Sequence, residues 1–173
     1  MSEVLGALEQ RKWHVIYIKA RHEKAVYEEL VKRGVESYLP LKKELHQWSD
    51  RKKWVEVPLF SSYVFINIEP GEKQQVYLSD AFVRFVTMNG KPSIVPDWQI
   101  EYIRKVSSLY PETLNVFDTG SVGKRGVIIS GPLSGMRGEI IDVMNEHWFM
   151  VRIEGLEKVL GVKVPASIFQ PGS

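Results

Sequence analysis

Pro58-Leu59-Phe60-Ser61-Ser62-Tyr63-Val64-Phe65-Ile66-Asn67-Ile68 is the most apolar run in the chain. From Tyr63 to Ile68 every residue except Asn67 favours extended backbone, because β-branched and aromatic side chains fit a pleated surface. Reached through a proline, residues 61–68 read as a buried central strand. The lead-in, Leu59 to Tyr63, sets three large side chains around two small polar ones. Two readings stand: Leu59, Phe60 and Tyr63 are core, or part of this set lines an apolar surface patch for a partner.

Upstream, Trp13 to Ile18 carries Trp13, Val15 and Tyr17 on one face of a first strand. Ala25 to Arg33 reads as a helix, with Val26 and Leu30, then Tyr27 and Val31, at four-residue spacing, and Gly34 follows its end. Val35 to Pro40 is a short second strand. Leu41 to Val57 reads as a hairpin arm that turns at Ser49-Asp50 and carries a basic tip. Downstream, residues 72–78 read as a short helix and 82–86 as a strand. A helix begins at Pro96-Asp97, with Asp97 as its N-cap, and Ile100, Ile103, Val106 and Leu109 form its apolar stripe. Short connections and few strands favour an α+β sandwich, mainly antiparallel.

The pattern stops at Leu109, and residues 110–119 read as a linker. From Gly120 onward five short apolar runs alternate with glycines: 127–129, 139–143, 148–153, 159–164 and 167–169. These predict a small β-barrel over 120–173, after a first domain over 12–109. Gly126, placed where an apolar residue is usual, is expected to fray the first of these strands.

The totals exclude several classes. The chain has 173 residues, no cysteine, and 23 basic against 21 acidic residues. Disulfides, thiol nucleophiles and cysteine-bound metals are therefore absent, and no global polyanion signature exists. His14, His22, His46 and His147 are scattered without ligand spacing, so no metal or cofactor is expected. Residues 120–124, a faint phosphate-loop pattern, read as a turn. No nucleotide-binding or hydrolase motif stands, so the chain is not expected to be an enzyme. Met1 to Gln10 lacks an apolar block, and no window is long and apolar enough to span a membrane. A cytoplasmic, monomeric binding protein is the expectation.

Two basic clusters fit a nucleic acid. Lys19, Arg21, His22 and Lys24 gather where the first strand turns into the helix, and cations there oppose the macrodipole unless an anion compensates. Arg51, Lys52 and Lys53 lie between Trp48 and Trp54, which offers cations beside stacking rings. The plain alternative for both is a solvated surface.

The most specific stretch is Gly123-Lys124-Arg125-Gly126-Val127-Ile128-Ile129-Ser130-Gly131-Pro132-Leu133-Ser134-Gly135-Met136-Arg137-Gly138-Glu139-Ile140-Ile141. It resembles a KOW motif, the five-stranded β-barrel at the C-terminus of NusG-type transcription factors. The N-terminal part resembles the NusG N-terminal (NGN) domain through Trp13–Tyr17, Glu23–Leu30, Pro58–Phe65, Phe82–Val86 and Pro92–Pro96. The Pro-Leu-Phe and Phe-Val-Arg-Phe pieces look closer to the specialised RfaH and UpxY groups. Ser61-Ser62 stands where the family usually has Pro-Gly or Pro-Asn.

This resemblance implies a non-enzymatic elongation and antitermination factor. Its NGN domain would dock on the clamp helices of the largest catalytic subunit of RNA polymerase and suppress pausing. It would act on particular operons, as regulators of capsular polysaccharide operons do. Phe60 and Tyr63 match the docking aromatics, with Leu59 and Trp13 beside them, so an exposed apolar patch is expected there. Lys19, Arg21, His22 and Lys24 fall where specialised members contact the non-template DNA strand. Residues 69–73 fall near the segment that reaches the opposite side of the polymerase cleft. Leu156, Val159 and Leu160 lie where the KOW barrel meets a small-subunit ribosomal protein or a termination factor. Those three fit barrel core equally well, Val159 above all. The alternative is an RNA- or ribosome-binding KOW module, which the charge of +1 over the C-terminal part disfavours. The C-terminal part is expected to be strands rather than a helical hairpin, given its β-branched residues and glycines.

Overall fold

The computed structural model describes residues 10–118 and 123–172. The expected leader over 1–11 and the turn over 120–124 fall largely outside them.

In the N-terminal half, strands β1 (Lys12–Ile18), β2 (Glu36–Tyr38), β5 (Tyr63–Ile68) and β6 (Phe82–Phe85) form one antiparallel sheet in the order β2-β5-β1-β6. β5 is central, as its composition predicts. β1 pairs with β5 in a register that sets Val15 opposite Phe65 and Tyr17 opposite Tyr63. Successive side chains on a strand point to opposite faces, and both faces of this sheet are buried. Ile16, Ile18, Val64 and Ile66 pack against Val26 and Leu30 of α1 (Glu23–Lys32) and Val76 of α2 (Lys73–Tyr77). Trp13, Val15 and Phe65 pack on the other face against Ile100, Ile103 and Val106 of α3 (Asp97–Leu109). Each such side chain, fully buried, contributes about 1.5–3 kcal/mol.

Gly34 ends α1 with φ of 80°, in its expected place. At α3 the expected cap shifts by one. Pro96 is the cap residue, with extended backbone and no side-chain bond, and Asp97 is the first helical residue. The proline ring carries no acceptor with which to cap the helix, although its fixed φ suits the entry of the chain.

β3 (Leu41–Gln47) and β4 (Lys52–Pro58) make the predicted arm, paired from Leu41↔Pro58 to Gln47↔Lys52. Its base is tied down by Leu59 N–H to the Pro40 carbonyl at 2.9 Å and Lys43 N–H to the Pro111 carbonyl at 2.7 Å. β7 (Thr87–Met88) and β8 (Lys91–Pro92) form a small hairpin that leads to α3.

The C-terminal half is built of strands and corrects the sequence reading in its closure and in three further places. It is a six-stranded antiparallel sheet, not a closed five-stranded barrel, and runs β14-β10-β11-β12-β13-β9 with β14 and β9 at its open ends. The strands are β9 (Asn115–Asp118), β10 (Lys124–Ile128), β11 (Arg137–Val143), β12 (Glu146–Ile153), β13 (Lys158–Lys163) and β14 (Phe169–Pro171). First, β9 lies inside the expected linker. Phe117 sets its ring edge against Trp148 at 5.1 Å while Val116 packs on the opposite face, and this two-sided packing holds the segment to β13. Second, residues 166–168, mostly expected as strand, form a 3-10 turn before β14. Third, Gly126 does not fray β10. A Cβ there would sit 2.2 Å from the Gln170 carbonyl oxygen and 2.5 Å from the Phe169 ring, so the missing side chain lets β14 approach and pair.

Candidate functional site

The turn that opens β5 organises the site. The Tyr63 N–H donates to the Phe60 carbonyl at 3.2 Å, closing a four-residue turn whose third residue, Ser62, has φ of 68°. Glycine or asparagine suits that position; serine is strained in it. Glu23 compensates. It is the first residue of α1, buried, and its Oε1 accepts the Ser62 N–H at 2.9 Å. A carboxylate at a helix start is also favoured by the macrodipole. The sequence shows Glu23 only as a neighbour of four basic groups, so this role is not visible in it.

The turn aims Leu59 and Phe60 into the molecule. They are 4% and 3% exposed, and Trp13 is 6% exposed, while Tyr63 is half-buried against Tyr17. The expected exposed patch is therefore covered in this structure. Phe60 meets Phe65 edge-on at 5.6 Å. Leu59, Phe60 and Trp13 belong to one continuous apolar cluster that runs through α3 into Phe149 and Leu160 of the C-terminal sheet and Leu133 and Leu156 of its turns. Burying apolar surface from both halves together is the physical reason for the cover.

Gln99 of α3 clasps this contact. It is 2% exposed; its Nε2 donates to the Arg152 carbonyl and its Oε1 accepts the Glu154 N–H, both at 2.8 Å. Beside it Gly155 adopts φ of 84°, and a Cβ there would come within 2.7 Å of the Ser93 Cβ. Ser93 is itself fixed, its carbonyl 2.9 Å from His14 Nδ1. Burial lowers the His14 pKa from its ordinary value, against the opposing effect of that backbone contact. Nothing in the sequence marks Gln99, because its partners are backbone groups some fifty residues away.

Leu156, Val159 and Leu160 are all buried. Leu156 and Leu160 lie in the shared cluster; Val159 packs with Trp148 and Met150 on the other face of the sheet.

The basic residues are exposed. Lys19, Arg21 and His22 occupy the tight turn before α1, where Arg21 has φ of 66° and the His22 N–H donates to the Lys19 carbonyl at 3.2 Å. Lys24 reaches across to the arm and donates to the Glu56 carbonyl at 3.0 Å, nearer the arm's base than its basic tip. At the arm tip Arg51, Lys52 and Lys53 are exposed, with the Arg51 guanidinium over the Trp48 ring at 5.4 Å. Trp48 and Trp54 are 43% and 46% exposed, so neither ring is packed inward. In the 69–73 segment Glu72 pairs with Arg11 at 2.8 Å.

The family model for "Transcription termination factor nusG" matches residues 11–104, more than half of the chain. The chain belongs to the NusG family. Among solved structures, that described as "Domain interaction in Thermotoga maritima NusG" is similar at 21% identity, with a TM-score of 0.58, covering 95% of this chain and 98% of that one. At that identity the likeness speaks for the fold. An MjSpt4:Spt5 complex chain aligns at 15% identity over 93% of this chain and 98% of that one, with a TM-score of 0.32. No curated protein matches the chain. Membership in the NusG family makes this a transcription factor with an NGN-like sheet and a KOW-like C-terminal sheet. Within this chain, Glu23 stabilises the Ser61-Ser62 turn with its left-handed third residue. Among the described residues no helix is long and apolar enough to cross a membrane.

Proposed function

We propose that this protein is a non-enzymatic elongation and antitermination factor that docks on the clamp helices of the largest subunit of RNA polymerase. The docking patch is Trp13, Leu59, Phe60 and Tyr63, and it becomes available when the C-terminal half swings away. The observation that carries this reading is the burial of Leu59 and Phe60 in a cluster shared with the C-terminal sheet. Large apolar side chains placed by a strained, carboxylate-held turn, and covered by another part of the same chain, fit a masked docking surface.

The parts then divide the work. Residues 12–109 contact polymerase, the C-terminal sheet masks the patch, and residues 110–114, before β9, carry the hinge. Lys19, Arg21, His22 and Lys24, with the Arg51–Lys53 tip and its exposed tryptophans, meet the non-template strand or nascent RNA. Arginine and lysine neutralise phosphates while indole faces stack on unpaired bases. Such contact would restrict the factor to particular operons. Opening also frees Leu156 and Leu160 for a ribosomal protein or termination factor; Val159, on the far face, stays core. No metal or cofactor takes part, and the protein acts as a cytoplasmic monomer.

The test is capture of purified elongation complex by the full chain, with and without an exposed non-template strand. Capture that needs the strand is expected, and is to be lost when Lys19, Arg21 and Lys24 are changed to Ala. Capture indifferent to the strand points to a general elongation role. Failure to bind, in the native chain and in Gln99→Ala alike, refutes the proposal; RNA binding without polymerase would leave the KOW-module reading.

A further inference from the structure

A cleft of about 800 Å3 opens between the start of α3 and strands β10, β11 and β12 of the C-terminal sheet, with Glu154 also at its wall. Register puts its charged walls on one face: Arg125 lies opposite Glu139, Val127 opposite Arg137, and Glu139 opposite Met150. Glu139 is only 15% exposed. It is held between the Arg125 Nε at 3.9 Å and the Arg152 Nε at 3.5 Å, and also accepts the Gly123 N–H at 3.2 Å. The carboxylate thus anchors guanidinium groups at the cleft wall, and the Arg125 side chain is 89% exposed. Trp98, the second residue of α3, lines the same cleft and is 51% exposed.

We infer that this cleft is a site for a nucleotide unit, its base against the Trp98 indole and its phosphate on Arg125 and Arg137. Guanidinium forks suit phosphate oxygens, and an indole with an open face suits a planar ring. The volume lies within the roughly 300–1,000 Å3 of small-ligand sites. An acidic peptide would use the arginines and leave the indole idle. Because the cleft has one wall from each half, the ligand binds only when the halves are together, and by linkage it holds them so. This step rests on the masked state proposed above. It adds a ligand that keeps the factor off polymerase until its concentration falls.

The experiment is calorimetric titration of the full-length protein with GTP, a short oligouridylate and inorganic phosphate, at low and high salt. One GTP per chain is expected, with phosphate at least about tenfold weaker because it lacks the stacking ring. Trp98→Ala and Arg137→Ala should each weaken nucleotide binding about tenfold or more, with melting temperatures unchanged because both side chains are exposed. Oligouridylate that binds more tightly than GTP, with a steep salt dependence, identifies an RNA strand as the source of the nucleotide unit. Affinity unaltered in both variants, phosphate equal to GTP, or no binding by either nucleotide probe overturns the inference. Nitroxide labels at Ser49→Cys and Ser134→Cys, in a chain otherwise free of cysteine, separate the two readings. A single interdomain distance without nucleotide binding sinks this inference alone, whereas a broad distribution in the free protein sinks the masked state beneath it.

Discussion

Gln99→Ala tests the contact between the halves. The side chain satisfies two backbone groups of the C-terminal half, the Arg152 carbonyl and the Glu154 N–H, at 2.8 Å each. The site is 2% exposed, so water does not freely replace the lost amide. A buried polar group left without its partner costs about 1–3 kcal/mol. Two of them, partly relieved by relaxation, cost about 2–4 kcal/mol. If the halves open as units, each group regains water in the open form, and the whole cost falls on the closed state. At 1.4 kcal/mol per factor of ten, the closed-to-open ratio falls by roughly 30- to 700-fold. The distance distribution between labels at positions 49 and 134 should broaden, and elongation-complex capture should rise. Meanwhile the amide exchange protection of β1 and β5 should be unchanged. A sharp distance with a lowered melting temperature would refute the reasoning, because Gln99 would then be core of one indivisible body.

Three further outcomes follow from the same geometry. Phe60→Ala should cost about 3–5 kcal/mol in denaturant unfolding, as for a large buried side chain. Tyr63→Ala, half-buried, should cost less while still weakening polymerase binding, and is the better docking probe. Ser62→Gly should raise stability by up to about 1 kcal/mol, because glycine adopts φ of 68° without strain; a loss of stability would mean that the serine side chain is needed. His14 has a depressed pKa when folded, so the unfolded chain binds more protons below the usual histidine value of about 6.5. Stability should therefore be full above that pH and decline as pH falls through it, and His14→Asn should flatten this part of the profile.

Some of the fold was legible from local pattern. The alternation in 13–18 and 63–68, the four-residue spacing in 25–33 and the turn signals at Ser49-Asp50 are short-range properties. Steric preference and periodicity act over a few residues, so they can be read without knowing what packs where. The motifs around Gly131-Pro132 and Pro58–Phe65 carried the family for the same reason. The basic residues, too, are exposed as charged side chains generally are.

What was not legible depends on residues far apart in the chain. Val116 and Phe117 carry too short a pattern to announce a strand; they form one because β13 offers an unpaired edge and Trp148 a ring. Gly126 reads as a weakness until Phe169 and Gln170 are seen filling the space its side chain would take. Leu59 and Phe60 read equally as core or as patch, since hydrophobicity states a preference for burial and not the partner that provides it. Here they join one cluster with side chains of α3 and of the C-terminal half, and Gln99 ties those parts together through residues more than fifty positions away. Composition marks a side chain as ready to be buried; only the packing of the two halves determines whether, and against what, it is.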